Sequence, residues 1–214
     1  MNNHIDDLIV RFPSLATLRP SLNAAVSLIV SAFHSGNKVM TCGNGGSAAD
    51  AEHIVGELMK GFLLQRCLSE SQKRQLISGG CSEELVLHLQ QGVPAISLVA
   101  GVSLPTAFAN DVDPKAVFAQ QVFALGKKGD VLIAISTSGN SKNVISAINV
   151  AKSLGIHCIG MTGCEKCLMS NIVDIHLAAT ESKTALIQEM HLPIYHAICA
   201  EIEHVLFGGK YVAI

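Results

Sequence analysis

Short, almost unbroken apolar runs alternate along this chain with segments of helical periodicity, and that alternation leaves few folds open. Residues 38–42, 95–99, 131–135, 157–161 and 172–178 read as strands. Between them, apolar residues recur at three- and four-residue steps over 15–33, where Gly36 ends the pattern. The same periodicity marks 47–60, 104–110, 116–126 and 143–154, as an amphipathic helix requires. Residues 182–207 read as one long terminal helix. Strands that are apolar on both faces need cover on both faces, so they pair in parallel beneath layers of helices. The expected fold class is therefore α/β, a three-layer α-β-α sandwich around a five-stranded parallel sheet, with an N-terminal helix and a long C-terminal helix.

The whole chain, 1–214, is expected to form one domain, because 214 residues leave little room for two independent cores. Residues 63–92 stand apart: they are richer in charge, Gln and Ser, are broken at Gly79-Gly80, and read as a helical insertion within that domain. Hydrophobic residues make up 49% and charged residues 15%, which excludes disorder. So little charge also leaves apolar surface to be covered, which predicts an oligomer. A net charge of −2 and a pI near 6.5 argue against a broad nucleic-acid footprint. No apolar run is expected to reach the length of a membrane span, and the polar start, with Asp6 and Asp7, is not a signal peptide. Seven cysteines, an odd number without framework spacing, predict reduced thiols in a cytoplasmic protein.

Two loops carry the first functional signal. Gly43-Asn44-Gly45-Gly46-Ser47 follows the first strand, and Ser136-Thr137-Ser138-Gly139-Asn140-Ser141 follows the third; each opens a helix. Backbone N–H groups converge at such a helix N-terminus, hydroxyls add donors, and the dipole favours an anion. Ligands of open α/β sheets bind outside the carboxyl ends of the strands, where both loops emerge. Neither loop matches the nucleotide P-loop, and Gly43, Gly45 and Ala48 do not complete a dinucleotide fingerprint. A phosphorylated small molecule is the ligand expected.

Four residues carry the second signal. His53 and Glu57 stand four apart and share a helix face. On the terminal helix, Gln188 and His196 stand eight apart, about 80° around the axis. Two imidazoles, a carboxylate and an amide oxygen suit a divalent metal, zinc above all; an ordinary solvated His/Glu pair is the competing reading. Cys164-Glu165-Lys166-Cys167 is a lone C-x-x-C without a second pair, read as plain thiols in a loop. His157 and His176 sit in apolar runs and read as satisfied residues of the sheet.

Cys42 to Ser47, His53 with Glu57, and Ser136 to Ser141 together resemble the sugar isomerase (SIS) domain, in its phosphoheptose isomerase branch. Asn110-Asp111 and the Gln188-Glu189-x-His191 signature with His196 are similar to that branch as well. The resemblance implies a flavodoxin-like fold and a homotetramer with shared active sites. It also implies one Zn²⁺ per subunit on His53, Glu57, Gln188 and His196. Substrate contacts would come from Asn44, Gly45, Gly46, Ser47, Glu57, Asn110, Asp111, Ser136, Thr137, Ser138, Ser141 and Gln188. The implied reaction converts sedoheptulose 7-phosphate to D-glycero-D-manno-heptose 7-phosphate through an enediol, with Glu57 as base and His196 as acid. Ala185 and Leu186 stand where the branch carries an acidic residue and an Arg. With the insertion, they motivate an alternative: an isomerase or sensor for another sugar phosphate. A non-catalytic relative that binds the replication initiator is the other alternative, and the retained Glu57, Gln188 and His196 weigh against it.

Overall fold

The computed structural model describes residues 3–208. Helix α1 (His4–Arg11) opens the described chain. Asn3 caps it by accepting from the Asp6 N–H, Asp6 and Asp7 lie in its first turn, and Arg11 lies in its last, all favourable to the helix dipole. The continuous helical pattern expected over 15–33 is split. Pro13–Leu18 forms a 3-10 helix, and α2 (Arg19–His34) starts afresh with Pro20 in its first turn. Proline lacks the N–H that a helix interior needs and fits only at such a start.

Five strands follow, β1 (Val39–Cys42), β2 (Ala95–Ser97), β3 (Val131–Ile135), β4 (His157–Thr162) and β5 (Ile175–Ala178). They form one sheet in the order β2-β1-β3-β4-β5 with every pairing parallel. The last strand is shorter than expected, because Met169–Asn171 turns as a 3-10 helix before it. The helices are α3 (Gly46–Met59), α4 (Glu70–Ser78), α5 (Glu83–His88), α6 (Ser103–Asp111), α7 (Val117–Leu125), α8 (Lys142–Ser153) and α9 (Thr184–Phe207).

The sheet separates two apolar cores. One gathers Leu22, Ile29, Ile54, Leu58, Ile133, Ile159, Leu177, Ile198 and Ile202, placing α1, α2, α3 and α9 on that face. The other gathers Met40, Leu98, Val122, Leu132, Val144, Ile148 and Cys158 beneath α7 and α8. The three-layer sandwich is thus as expected. By length and composition the 22-residue segment Pro13–His34, with a mean hydropathy of 1.3 over its most apolar 18 residues, is long and apolar enough to cross a membrane, contrary to the expectation that no run is. In the fold its Leu15, Leu22, Ala25 and Ile29 are instead core residues.

The segment 63–92 carries the two short helices α4 and α5, and Ser69 begins α4 with a capping box to Gln72. One buried ion pair roots the segment: Arg66 Nε donates to Glu203 Oε1 at 2.7 Å, and both side chains are 1% exposed. Glu203 also accepts from the backbone N–H groups of Phe62, Leu63 and Leu64. The Arg66 guanidinium donates onward to the carbonyls of Leu58 and Glu57. It thereby caps the C-terminal turn of α3, whose last carbonyls have no partner within the helix.

Candidate active site

The chain leaves β1 to build β2 on one side and returns to place β3 on the other side of β1. That reversal opens a crevice at the carboxyl ends of β1 and β3, the place where doubly wound sheets bind ligands. Both polar loops border it. A cleft of ≈ 320 Å³ is lined by Asn44, Gly45, Gly46, Ser47, Ser136, Thr137, Ser141, Thr184 and Gln188, with Ile135 at its floor. None of the lining residues is charged, so an anion there meets backbone N–H groups, hydroxyls and helix dipoles.

The loops are held in place by their own chemistry. Gly45 takes a φ of 57°, open to glycine without strain, and starts α3. A Cβ on Gly43 would lie 2.4 Å from the Ser47 carbonyl oxygen, so the turn needs glycine there. Ser136 donates its N–H to the Met161 carbonyl, and its hydroxyl pairs with that of Ser141 at 2.9 Å. Asn140 accepts from the Leu168 N–H, and the Met169 N–H donates to the Gly139 carbonyl. Asn44 and Asn143 exchange a reciprocal amide pair at 3.0 and 2.9 Å, tying one loop to the other. Asn143 and Thr184 are site residues that the sequence reading missed; an Asn in the first turn after the second loop was the available signal.

The proton-transfer candidates lie farther along α3 and α9. His53 Nε2 is 3.2 Å from Glu57 Oε1 and 3.4 Å from His196 Nε2. Behind His53, its Nδ1 meets the Tyr195 hydroxyl at 2.9 Å, and that hydroxyl reaches Asp50 Oδ1 at 3.3 Å. Burial raises Asp50 despite the Tyr195 bond. Burial, with His53 beside it, lowers His196, so near neutrality that ring is uncharged and still has an N–H to give. Lys60 Nζ stands 3.5 Å from Glu57 Oε2.

The four residues expected to hold a metal are therefore only partly gathered. His53, Glu57 and His196 meet, whereas the Gln188 amide lies against Gly46, where its Nε2 would sit 2.5 Å from a Cβ added to that glycine. Among the described residues no group of three or more His, Cys, Asp and Glu side chains is placed so that it could hold a metal ion as it stands. The donor chemistry of the trio nevertheless fits zinc. Ligands of tetrahedral zinc stand about 3.3 Å apart, from bonds of roughly 2.0–2.1 Å, and two such edges are present. Of the other expected contacts, Ser138 is exposed on its loop. Asn110 and Asp111 are exposed at the end of α6, bonded to each other at 2.8 Å and absent from the cleft lining. Ala185 and Leu186 are exposed in the first turn of α9.

Comparison with known proteins agrees with this fold. The family model of the SIS domain matches residues 5–75 and 85–163. A phosphoheptose isomerase of Synechocystis sp. is 40% identical over 194 residues, covering 91% of this chain and 88% of the relative. One from Aliarcobacter butzleri is 39% identical over 192 residues, covering 90% and 89%. Among solved structures, phosphoheptose isomerase GmhA from Neisseria gonorrhoeae superposes with a TM-score of 0.73 at 31% identity, covering 94% of this chain and 95% of that one. The corresponding enzyme from Francisella tularensis gives 0.72 at 30% identity, with the same coverage. With its strand order, its two loops and this likeness along nearly its whole length, the chain belongs to the SIS domain family, in the phosphoheptose isomerase branch.

Proposed function

We propose that this protein is an aldose-ketose isomerase that converts sedoheptulose 7-phosphate to D-glycero-D-manno-heptose 7-phosphate. The observation that carries the reading is a neutral anion cleft at the start of α3 with Glu57 and His53 farther along the same helix, where His196 of α9 meets them. Gly46 and His53 are seven residues apart, about 10 Å along the axis. A long-chain sugar phosphate bridges that span with its phosphate in the cleft and its carbonyl end beside Glu57. The relatives' names favour the isomerase over an initiator-binding role.

In this reading Ser136, Thr137, Ser138 and Ser141 hold the phosphate. Asn44, Gly45, Gly46, Ser47, Asn110, Asp111 and Gln188 contact the sugar, and phosphate binding energy fixes the reacting end. Glu57 takes a proton from C1 of the ketose while His196 gives one to the C2 oxygen, producing the enediol. Glu57 then returns a proton to C2 while the C1 hydroxyl gives its own back to His196, and the aldose results with both groups restored. The zinc that His53, Glu57, His196 and a swung Gln188 would hold supplies Lewis acidity at the carbonyl end. Residues 1–214 act as a single domain with 63–92 as an insertion. The working form is a cytoplasmic homotetramer with shared sites, a reading supported by exposed Val10, Val102, Val112 and Phe123, each at least 67% accessible.

The test is incubation with sedoheptulose 7-phosphate, zinc supplied, followed by NMR for an aldose product. Absence of product sinks the heptose assignment. Glu57→Gln is expected to lower kcat by at least 100-fold, the low end of acid–base catalysis. Light scattering at working concentration checks the tetramer.

A further inference from the structure

Behind His53 lies a pair of side chains that neither binds substrate nor touches the proposed metal position. Tyr195 is 2% exposed; its hydroxyl stands between His53 Nδ1 at 2.9 Å and Asp50 Oδ1 at 3.3 Å. That hydroxyl has one proton and two claimants. Asp50 as a carboxylate can only accept, and its other oxygen, Oδ2, is buried without a partner. A buried acceptor left unpaired on both oxygens is costly, so the Tyr195 proton belongs to Asp50. The phenolic oxygen then accepts, and the hydrogen it accepts is the one on His53 Nδ1. With that proton placed, Nε2 is a bare lone pair 3.2 Å from Glu57 Oε1 and 3.4 Å from His196 Nε2. In the metal-free chain it can accept only from the His196 N–H, and toward Glu57 it is favourable only with a cation between them.

We propose that Asp50, acting through Tyr195, is a positioning residue that fixes His53 in its Nδ1–H tautomer and so presents Nε2 as a metal ligand. A ligating His is commonly held this way by a hydrogen bond at its other nitrogen. The proposal rests on the zinc reading for what Nε2 binds, but the tautomer itself is a property of the metal-free chain.

The test begins with nitrogen NMR of the His53 ring in the full-length, metal-free protein at a pH above the imidazole range. Wild type is expected to carry its proton on Nδ1. Asp50→Ala releases the Tyr195 proton to His53 Nδ1 and moves the ring to the Nε2–H form, donating to Glu57. Asp50→Asn keeps a carbonyl acceptor and keeps the wild-type tautomer. Zinc affinity, measured by chelator competition, is expected to fall 10- to 100-fold in Asp50→Ala and in Tyr195→Phe, with far less change in Asp50→Asn. If Asp50→Ala does not fold, Tyr195→Phe, which loses only a hydroxyl, decides through loss of the single tautomer. An Nε2–H wild type, or a tautomer indifferent to these substitutions, overturns the proposal. A wild-type protein with the expected tautomer but no zinc affinity refutes the metal reading and leaves the positioning role standing.

Discussion

Replacing Glu203 with leucine removes the acceptor on which four donors converge: Arg66 Nε at 2.7 Å and the N–H groups of Phe62, Leu63 and Leu64 at 2.8, 2.6 and 3.0 Å. Arg66 is left as an unpaired charge in a site 1% exposed, and breaking a buried pair in this way costs about 3–5 kcal/mol. Each orphaned N–H adds roughly 1–3 kcal/mol if it stays dry. Residues 62–66 can relax toward water, however, so the total is expected to stay at about 3–5 kcal/mol rather than reach the sum. Against a domain stability of about 5–15 kcal/mol that is a large fraction. With a urea m-value of about 2 kcal/mol/M, the midpoint falls by roughly 2 M. The double variant Arg66→Met with Glu203→Leu removes the charge as well and is expected to recover part of the loss, since the three N–H groups remain without an acceptor. A loss below about 1 kcal/mol in Glu203→Leu would refute the buried-pair reasoning. Full recovery in the double variant would show that the backbone donors contribute nothing.

Other consequences are open to measurement. Gly46→Ala places a Cβ 2.5 Å from Gln188 Nε2. The flexible amide yields, the fold holds, and KM for sedoheptulose 7-phosphate rises roughly five- to tenfold, the worth of one hydrogen bond; an unchanged KM removes Gln188 from the sugar site. His191 is fully buried with Nδ1 unpartnered, and burial holds it, like His176, below its ordinary 6.5. A depressed folded value means that the unfolded chain takes the proton first. Stability is therefore complete above about pH 6.5 and declines as pH falls below it, by at most ~1.4 kcal/mol per unit from each ring. Urea midpoints should drop between neutral and mildly acidic pH, and His191→Gln should flatten the drop; a pH-independent wild type contradicts this. Burial pushes the thiols of Cys42, Cys158 and Cys199 up to about 12. Native protein should therefore leave these three unmodified by a disulfide reagent while exposed Cys67 and Cys164 react, and a Cys164→Ser variant should lose about half of that fast phase.

Particular elements show how far the residues could be read without the fold. The apolar runs ending at Cys42 and Ile135 announced β1 and β3, and the loops after them announced the anion cleft, because strand and loop chemistry is local. The break at Pro20 was equally local, and so was the α1 start at Asn3 with Asp6 and Asp7; both signals stood in the sequence, unread. Asn143, Thr184 and Asp50 were illegible as site residues, since polar side chains near helix starts are ordinary. Arg66 and Glu203, 137 positions apart, gave no sign of their pairing at all.

The pattern of residues alone determined the class of fold, the two loops, and the candidate ligands on α3 and α9, because strand, turn and helix propensities act within a few residues. Only the tertiary structure decided that β1 and β3 are neighbours, which is what makes two separate loops one cleft. It also decided that His53, Glu57 and His196 meet while Gln188 turns to Gly46, and that Tyr195 links His53 to Asp50. Such encounters depend on how helices pack across a sheet, where burial and close contact, not spacing along the chain, set which groups touch.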